Sequence, residues 1–291
     1  MNRRRADAAL LFNTIAWGAT FVLVKNALGG ISPMLFLAAR FGLAAVALAI
    51  LFIGPLRRSF AWRAAGAGAL SGVFLFAGFA FQTYGLRLTS PPKSAFLTGM
   101  TSILAPFLAA AVYRIRPGVS EIAGVLVSVT GLACMTLERP LGSLASGDVL
   151  TLLGAAAFAA HIVTVGHFSE SMPVSVLTVS QIAAAALCAC VLLPVEAPRV
   201  EWRPAVVGAI VVTGLLCTAA AFALQTWAMQ YTTATRTAVI YMFEPVVAWI
   251  TSWMLAGVGL SARASLGAAL ILLGILLVEL KPLRPRLHPQ N

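Results

Sequence analysis

The sequence predicts an all-α membrane protein with ten transmembrane helices arranged as two inverted five-helix repeats. Three observations predict it. Of the 291 residues, 60% are hydrophobic and 10% are charged, whereas a soluble globular protein averages about 25% charged residues. Such a chain cannot cover its own surface with polar groups in water. Apolar runs of roughly 20 residues, each long enough to cross the hydrocarbon core as a helix, recur from end to end. Stretches of the first half also match stretches of the second at constant spacing.

The spans follow in order. The first, 8–28, begins within MNRRRADAALLFNTIAWGA, which resembles a secretory signal; Lys25 and nine further spans behind it make it a retained helix. The second, 32–53, opens at Pro33 and carries Arg40. The third, 64–86, holds Gly68 and Gly72, a GxxxG pair suited to close helix packing. The fourth, 92–113, starts after Ser90 and two prolines and contains Pro106. The fifth, 119–137, carries small hydroxyls along its apolar run, and the sixth, 148–167, places His161 near its middle. The seventh and eighth are 173–194 and 204–228. The ninth, 234–256, has Glu244 directly before Pro245 inside an otherwise apolar run, and the tenth, 262–280, is almost purely apolar until Glu279.

No loop is long enough for a soluble domain, so any chemistry happens within the membrane or at its surfaces. The net charge of +11 would suggest nucleic acid if the basic residues clustered on one soluble face. They lie instead in short loops and at the chain ends, so no nucleic-acid partner is expected. With the N-terminus inside, Arg3, Arg4, Arg5, Arg57, Arg58, Arg63, Arg114, Arg116, Arg236, Lys281, Arg284 and Arg286 are cytoplasmic. Lys25, Arg87, Lys93, Arg139, Arg199, Arg203 and Arg263 lie outside. This bias predicts two cytoplasmic termini in a bacterial-type inner membrane. Cys134, Cys188, Cys190 and Cys217 all lie inside apolar runs without a CxxC pair, and read as small buried helix residues.

The internal match sets the domain organisation. FQTYGLRLTSPPKSAF, 81–96, aligns with LQTWAMQYTTATRTAV, 224–239, so that Gln82 meets Gln225, Thr89 meets Thr232 and Lys93 meets Arg236. GVLVSVTG, 124–131, aligns with GAALILLG, 267–274. Pro106 meets Pro245 only if four residues are skipped, about one helical turn. The halves are 1–140 and 141–291. Five spans per half is odd, so the second half enters the membrane from the opposite side. Many secondary transporters are built this way, with a substrate site near the midplane between the repeats.

The residues WGATFVLVK, 17–25, then Pro33, then AARF with Arg40, then the Thr/Ser-rich starts and central prolines of the fourth and ninth spans, resemble the ten-helix drug/metabolite transporter superfamily of the EamA-domain type. The resemblance covers nearly the whole chain. Where many members carry a Gly-Glu pair after the fourth and ninth helices, this chain reads YRIRPG and AGVGLS. The resemblance implies an exporter of small metabolites, often amino acids, working without ATP. It also implies a basket in which the first, third, fourth, sixth, eighth and ninth helices surround a central cavity.

In-membrane polar and amphipathic residues concentrate on those same spans. Asn13, Trp17 and Thr20 fall at i, i+4 and i+7 on the first, as do Thr237, Tyr241 and Glu244 on the ninth, so each trio shares a helix face. Phe79, Gln82 and Tyr84 lie on the third, Thr98 and Thr101 on the fourth, His161 on the sixth, and Gln225 and Trp227 on the eighth. An ionisable residue deep in a span faces protein or water and usually has a task. Glu244 is a ligand for a substrate amino group or a proton carrier; the alternatives are a salt bridge to Arg40 or Lys25, a protonated carboxyl bonded to a neighbour, or a place nearer the interface. Those two bases read as structural charges, with Arg40 outside the cavity. His161 reads as a proton shuttle or a packing residue, and Gln82 and Gln225 as substrate ligands or helix pins. Trp17, Tyr84, Trp227 and Tyr241 are candidate stacking surfaces, with an interfacial belt as the alternative for Tyr84 and Trp227. Pro106 and Pro245 are candidate hinges, because proline cannot donate to the helix ladder.

The expected function is alternating-access export of amino acids or similar small metabolites across the inner membrane. The alternative is a proton-coupled exporter of drugs or cationic compounds on the same fold. No bound cofactor, metal or nucleotide is expected, since GxxxxGK[ST] and HExxH are both absent from the sequence, and the chain is not expected to be an enzyme. The expected partners are a small-molecule substrate and the lipid bilayer, and such a basket can work as a monomer.

Overall fold

In hydrocarbon every backbone polar group must be satisfied within the protein, so an apolar span folds as a helix. The computed structural model describes residues 2–114, 118–136, 146–256 and 262–279, and among these no strand occurs. The helices are α1 (Asn2–Ala27), α2 (Pro33–Leu51), α3 (Ile53–Ser59), α4 (Trp62–Leu88), α5 (Pro91–Gly99), α6 (Thr101–Tyr113), α7 (Val119–Thr136), α8 (Ser146–Ser169), α9 (Val174–Leu192), α10 (Pro204–Val211), α11 (Ala221–Ala228), α12 (Ala234–Tyr241), α13 (Glu244–Ala256) and α14 (Ala262–Glu279). Eight helical stretches are long and apolar enough to cross a membrane. The apolar stretches of α7 and α14, Ile122–Gly131 and Ser265–Gly274, are shorter. The chain is a multi-pass membrane protein. The basic residues Arg116, Arg139, Lys281, Arg284 and Arg286 lie outside the described residues.

Several runs that read as single spans are interrupted. The fourth divides at Met100 and the ninth at Met242 and Phe243. Met100 and Phe243 are matched positions under the pairing of Gln82 with Gln225. Pro245 stands in the first turn of α13, directly after the ninth-span break, whereas Pro106 lies inside α6, well past the fourth-span break. The break therefore keeps its place in both halves while the proline shifts by a turn. The eighth span joins α10 to α11 through a π-helical segment, Val212–Ala220. Thr218 Oγ1 donates to the Thr213 carbonyl at 2.8 Å inside that segment. α1 reaches carbonyls in and just after it: Trp17 Nε1 donates to Cys217 O at 2.7 Å, and Asn13 Nδ2 to the O of Ala221, the first residue of α11, at 2.8 Å.

Glycines set the closest helix approaches. A Cβ on Gly72 would lie 2.3 Å from Gln181 O, and one on Gly68 would lie 2.9 Å from Leu177 O, so the GxxxG pair seats α4 on α9. Gly78 leaves room for the Phe158 ring, at 2.6 Å from a Cβ there. In the α7–α14 pair, a Cβ on Gly131 would meet Gly267 O at 2.6 Å and one on Gly274 would meet Gly124 O at 2.5 Å. The two repeat-matched stretches therefore pack against each other, and run antiparallel. We expect Gly131→Leu to lower the melting temperature in detergent by several degrees, since overpacking costs about 1–3 kcal/mol. Substrate affinity of the folded fraction should stay the same, because neither helix lines the cavity described below. An unchanged melting temperature would show that this close approach contributes nothing to stability.

On one membrane side, Ser32 N donates to Arg199 O at 2.9 Å and Glu201 N to Gly30 O at 2.7 Å, strapping the turn after α1 to the segment before α10. Lys25 Nζ donates to the carbonyls of Leu86 (2.8 Å), Arg87 (3.0 Å) and Thr89 (2.9 Å). Its three N–H groups cap the C-terminal end of α4, where unsatisfied carbonyls and the negative end of the helix dipole favour a cation.

Candidate functional site

A cavity, part of it open to solvent, lies between the helices. Its walls come from α1 (Trp17, Thr20, Phe21, Val24), α4 (Phe79, Gln82, Thr83, Leu86), α5 and α6 (Thr98, Gly99, Thr101, Ser102), α8 (Phe158, His161, Ile162), α11 (Phe222, Gln225), and α12 and α13 (Tyr241, Glu244), with Arg40 from α2. The aromatic part is continuous: Trp17 meets Phe222 at 5.3 Å and Tyr241 at 4.9 Å between ring centroids, and Phe79 meets Phe158 at 5.0 Å. Offset and edge-on arrangements of this kind suit aromatic quadrupoles.

Of the residues that the sequence singled out, Trp17, Thr20, Phe79, Gln82, Thr98, Thr101, His161, Gln225, Tyr241 and Glu244 all line this cavity. Three others do not. Asn13 is fully buried; it is turned to Ala221 O and lies against the Tyr241 hydroxyl. Tyr84 lies toward Glu196, whose Oε2 accepts from Met34 N at 2.8 Å. Trp227 stacks on Tyr231 at 5.4 Å. Asn13 shares a face with Trp17 and Thr20, but the carbonyl it reaches decides where its side chain goes; Tyr84 and Trp227 stand two positions past Gln82 and Gln225, about 200° around their helices, and so lie off the cavity wall.

Arg40 corrects the expectation that it lies outside the cavity. It lines the wall and is only 4% exposed. Gly214 lets α2 approach the π segment, since a Cβ there would sit 3.2 Å from Arg40 O. Arg40 Nε donates to Thr218 Oγ1 at 2.7 Å, and its guanidinium stands 4.2 Å from the Phe79 ring centroid. The sequence signal for this position was the basic residue itself; what it missed was the direction in which the helix turned it.

Glu244 is 8% exposed and opens α13. The considered salt bridge to Arg40 or Lys25 is not formed: among the described residues, the ion pairs are Lys93–Asp148, Arg203–Glu201 and Arg236–Asp7. Gly18 makes room for its backbone, with a Cβ there 2.6 Å from Glu244 O. Gln225 is 1% exposed; its Nε2 reaches Met229 Sδ at 3.8 Å, and its Oε1 has no hydrogen-bond partner among the described residues. Gln82 Nε2 donates to Thr98 Oγ1 at 3.0 Å. His161 Nε2 and Gln181 Oε1 lie 2.8 Å apart, and Gln181 Nε2 donates to Thr226 Oγ1, which donates in turn to Phe222 O. That chain makes Gln181 Oε1 the acceptor, so His161 carries its proton on Nε2. Among the described residues, no group of three His, Cys, Asp or Glu side chains could hold a metal.

An apolar multi-helix protein with a polar-centred cavity in its interior has the build of a membrane transporter. The chain belongs to the EamA-like transporter family, whose model matches residues 4–137 and again 145–280. An uncharacterized transporter of Archaeoglobus fulgidus is 29% identical over 97% of this chain and 88% of its own length. The uncharacterized transporter YyaM of Bacillus subtilis is 26% identical over 92% of this chain and 91% of its own length. A crystal structure described only as that of a protein superposes with a TM-score of 0.77 at 19% identity, over 95% of this chain and 97% of the other. At that identity the likeness is one of fold. Residues 115–117 of YRIRPG and 257–261 of AGVGLS lie outside the described residues.

Proposed function

We propose that this chain is a secondary transporter that exports amino acids or similar small metabolites across the inner membrane by alternating access. In this reading it has ten spans in two inverted halves, 1–140 and 141–291, with both termini cytoplasmic, and works as a monomer. One observation carries the reading. Cavity residues of the first half recur as cavity residues of the second. DAALLFNTIAWGATFVLV, 7–24, aligns with DVLTLLGAAAFAAHIVTV, 148–165, which pairs Trp17 with Phe158, Thr20 with His161 and Phe21 with Ile162. The earlier match pairs Phe79 with Phe222, Gln82 with Gln225, Thr98 with Tyr241 and Thr101 with Glu244. All fourteen line the one cavity. A site shared by two matched halves is what a midplane binding site between inverted repeats requires. Such a scaffold has two related arrangements, each open to one side.

The antiparallel packing of α7 on α14, and of α4 on α8 (Gly85 against Gly147 O, 2.8 Å from a Cβ), supports the inversion. The position in the first half that takes the place of Glu244 is Thr101, so the carboxylate breaks the symmetry of an otherwise paired cage. A proton-coupled exporter of drugs or cations is the second reading, favoured by Glu244 among aromatic rings.

The test is counterflow into liposomes that hold purified protein and preloaded unlabelled compounds. The expected result is saturable exchange of labelled neutral amino acids. Exchange of cationic dyes alone would establish the second reading, and conductance without saturation would replace both with a channel.

A further inference from the structure

Arginine and aromatic side chains together suit the boundary between water and lipid, where each keeps one part wet and one part dry. The stretch from Phe52 to Arg63, between α2 and α4, reads FIGPLRRSFAWR, with three arginines and no acidic residue. Helix α3 within it buries no residue. Arg57, Arg58 and Arg63 are exposed, and among the described residues none of their guanidinium groups forms an ion pair. Phe60 and Trp62 are 51% and 83% exposed and meet edge-on at 5.0 Å between ring centroids. We propose that this segment is a binding site for the phosphate of an anionic phospholipid.

The second half holds the comparison. FAWR, 60–63, aligns with VEWR, 200–203, where the next apolar run begins in each half. The segment around the second, LPVEAPRVEWRP, 193–204, balances two arginines with two glutamates. The glutamates are used within the protein: Glu201 pairs with Arg203, and Glu196 accepts from Met34 N. Backbone bonds tie Arg199 and Glu201 to Ser32 and Gly30, just before α2 begins. α3 instead follows the end of α2. Helix α2 has 19 residues, about 28 Å at 1.5 Å per residue, so the two segments lie at opposite membrane surfaces. They share a scaffold position and a Trp-Arg pair, but only the α3 segment leaves its charge for a partner outside the chain.

The chemistry of the segment points to a lipid. Ile53 and Leu56 of α3, three apart, share a face, and Arg58 stands about 200° from Leu56. One side of this turn suits acyl chains and the other suits headgroups. An arginine fork matches two phosphate oxygens. A zwitterionic headgroup such as phosphocholine brings its own cation, which the neighbouring arginines repel. An anionic headgroup such as phosphoglycerol brings none, and its leaflet attracts basic residues from a distance. A free phosphate ion would satisfy the arginines but leave Phe60 and Trp62 in water. The assignment depends on neither the transported substrate nor the direction of transport.

Trp62 is a built-in reporter, and Trp202 of the matched segment is its control. The full chain is placed in mixed vesicles of phosphatidylcholine and phosphatidylglycerol, with brominated acyl chains on one lipid or the other, and quenching of tryptophan fluorescence is measured. The part of the quenching that Trp62→Phe removes should be stronger when phosphatidylglycerol carries the bromine. The part that Trp202→Phe removes should show no such preference. Each basic group near an anionic surface is worth about fivefold, so Arg58→Gln should lower the Trp62 preference about fivefold. Arg57→Gln, Arg58→Gln and Arg63→Gln together should abolish it. Added salt should weaken the preference of the wild-type protein, an arm that needs no variant to fold. Equal quenching of Trp62 by the two lipids would overturn the site, as would a preference that survives salt or that Trp202 shares. A preference abolished by inorganic phosphate at constant ionic strength would overturn it as well, because the arginines would then be taking a free anion.

Discussion

Gly18→Val will reduce transport to background while the protein still inserts and runs as a single species in detergent. The sequence places Gly18 next to Trp17, and the fold places both where α1 crosses the start of α13. A Cβ on Gly18 would lie 2.6 Å from Glu244 O and 2.7 Å from Val247 Cβ. Neither atom is the tip of a flexible side chain, so relief requires α13 to move away. Overpacking of this kind costs about 1–3 kcal/mol, which is about 5- to 150-fold in an equilibrium. The displaced helix carries the buried carboxylate, so the cost falls on the cavity. Gly18→Ala should cut exchange several-fold and valine should end it, measured by counterflow against protein quantified in the same liposomes. Wild-type exchange by the valine variant would remove the α1–α13 approach from any part in transport.

A single charge reversal in either repeat-matched ion pair will stop transport, and reversing both partners of a pair will restore a measurable part of it. Lys93 Nζ lies 2.6 Å from Asp148 Oδ2, at the starts of α5 and α8. Arg236 donates through Nε and Nη2 to Asp7, at 2.9 and 2.8 Å, joining α12 to α1. Lys93 and Arg236 are matched positions, and so are Asp7 and Asp148. In the proposed topology one pair therefore stands at each mouth of the cavity. Asp148 is 2% exposed but Lys93 is 42% exposed, so losing the partner costs less than the roughly 3–5 kcal/mol of a fully buried pair. Lys93→Asp adds repulsion to that loss, so more than a hundredfold drop in exchange is expected. Lys93→Asp combined with Asp148→Lys should recover exchange in part only, because an acidic side chain suits the first turn of α8 better than a basic one. A double reversal no better than the singles would show that the pair does not act as a unit.

Much of the site was legible because helical periodicity is local. Trp17 with Thr20, and Tyr241 with Glu244, fall on single faces by spacing alone, and those faces do meet the cavity. The match of Gln82 with Gln225 was legible in the same way, and both residues line the wall. Periodicity also placed Asn13 on the Trp17 face, yet Asn13 turns to Ala221 O. Tyr84 was singled out for lying near Gln82 in sequence, yet two residues are about 200° on a helix, and it points off the wall. A face is a property of one helix; the partner that a side chain finds there belongs to its neighbour.

The sequence by itself determined the apolar helices, their ends, the internal duplication and the presence of a carboxylate that has no reason to be in lipid. These follow from composition, hydropathy and spacing, which need no knowledge of what packs on what. Only the tertiary structure decided that Arg40 faces the cavity, that Lys25 caps α4, and that Glu244 finds no base beside it. The π segment belongs with these. Its Cys217 carbonyl is held by Trp17, 200 residues earlier in the chain, and its Thr218 by Arg40. Contacts between residues so far apart depend on how helices cross, and crossing is set by the glycines and side chains of both partners together.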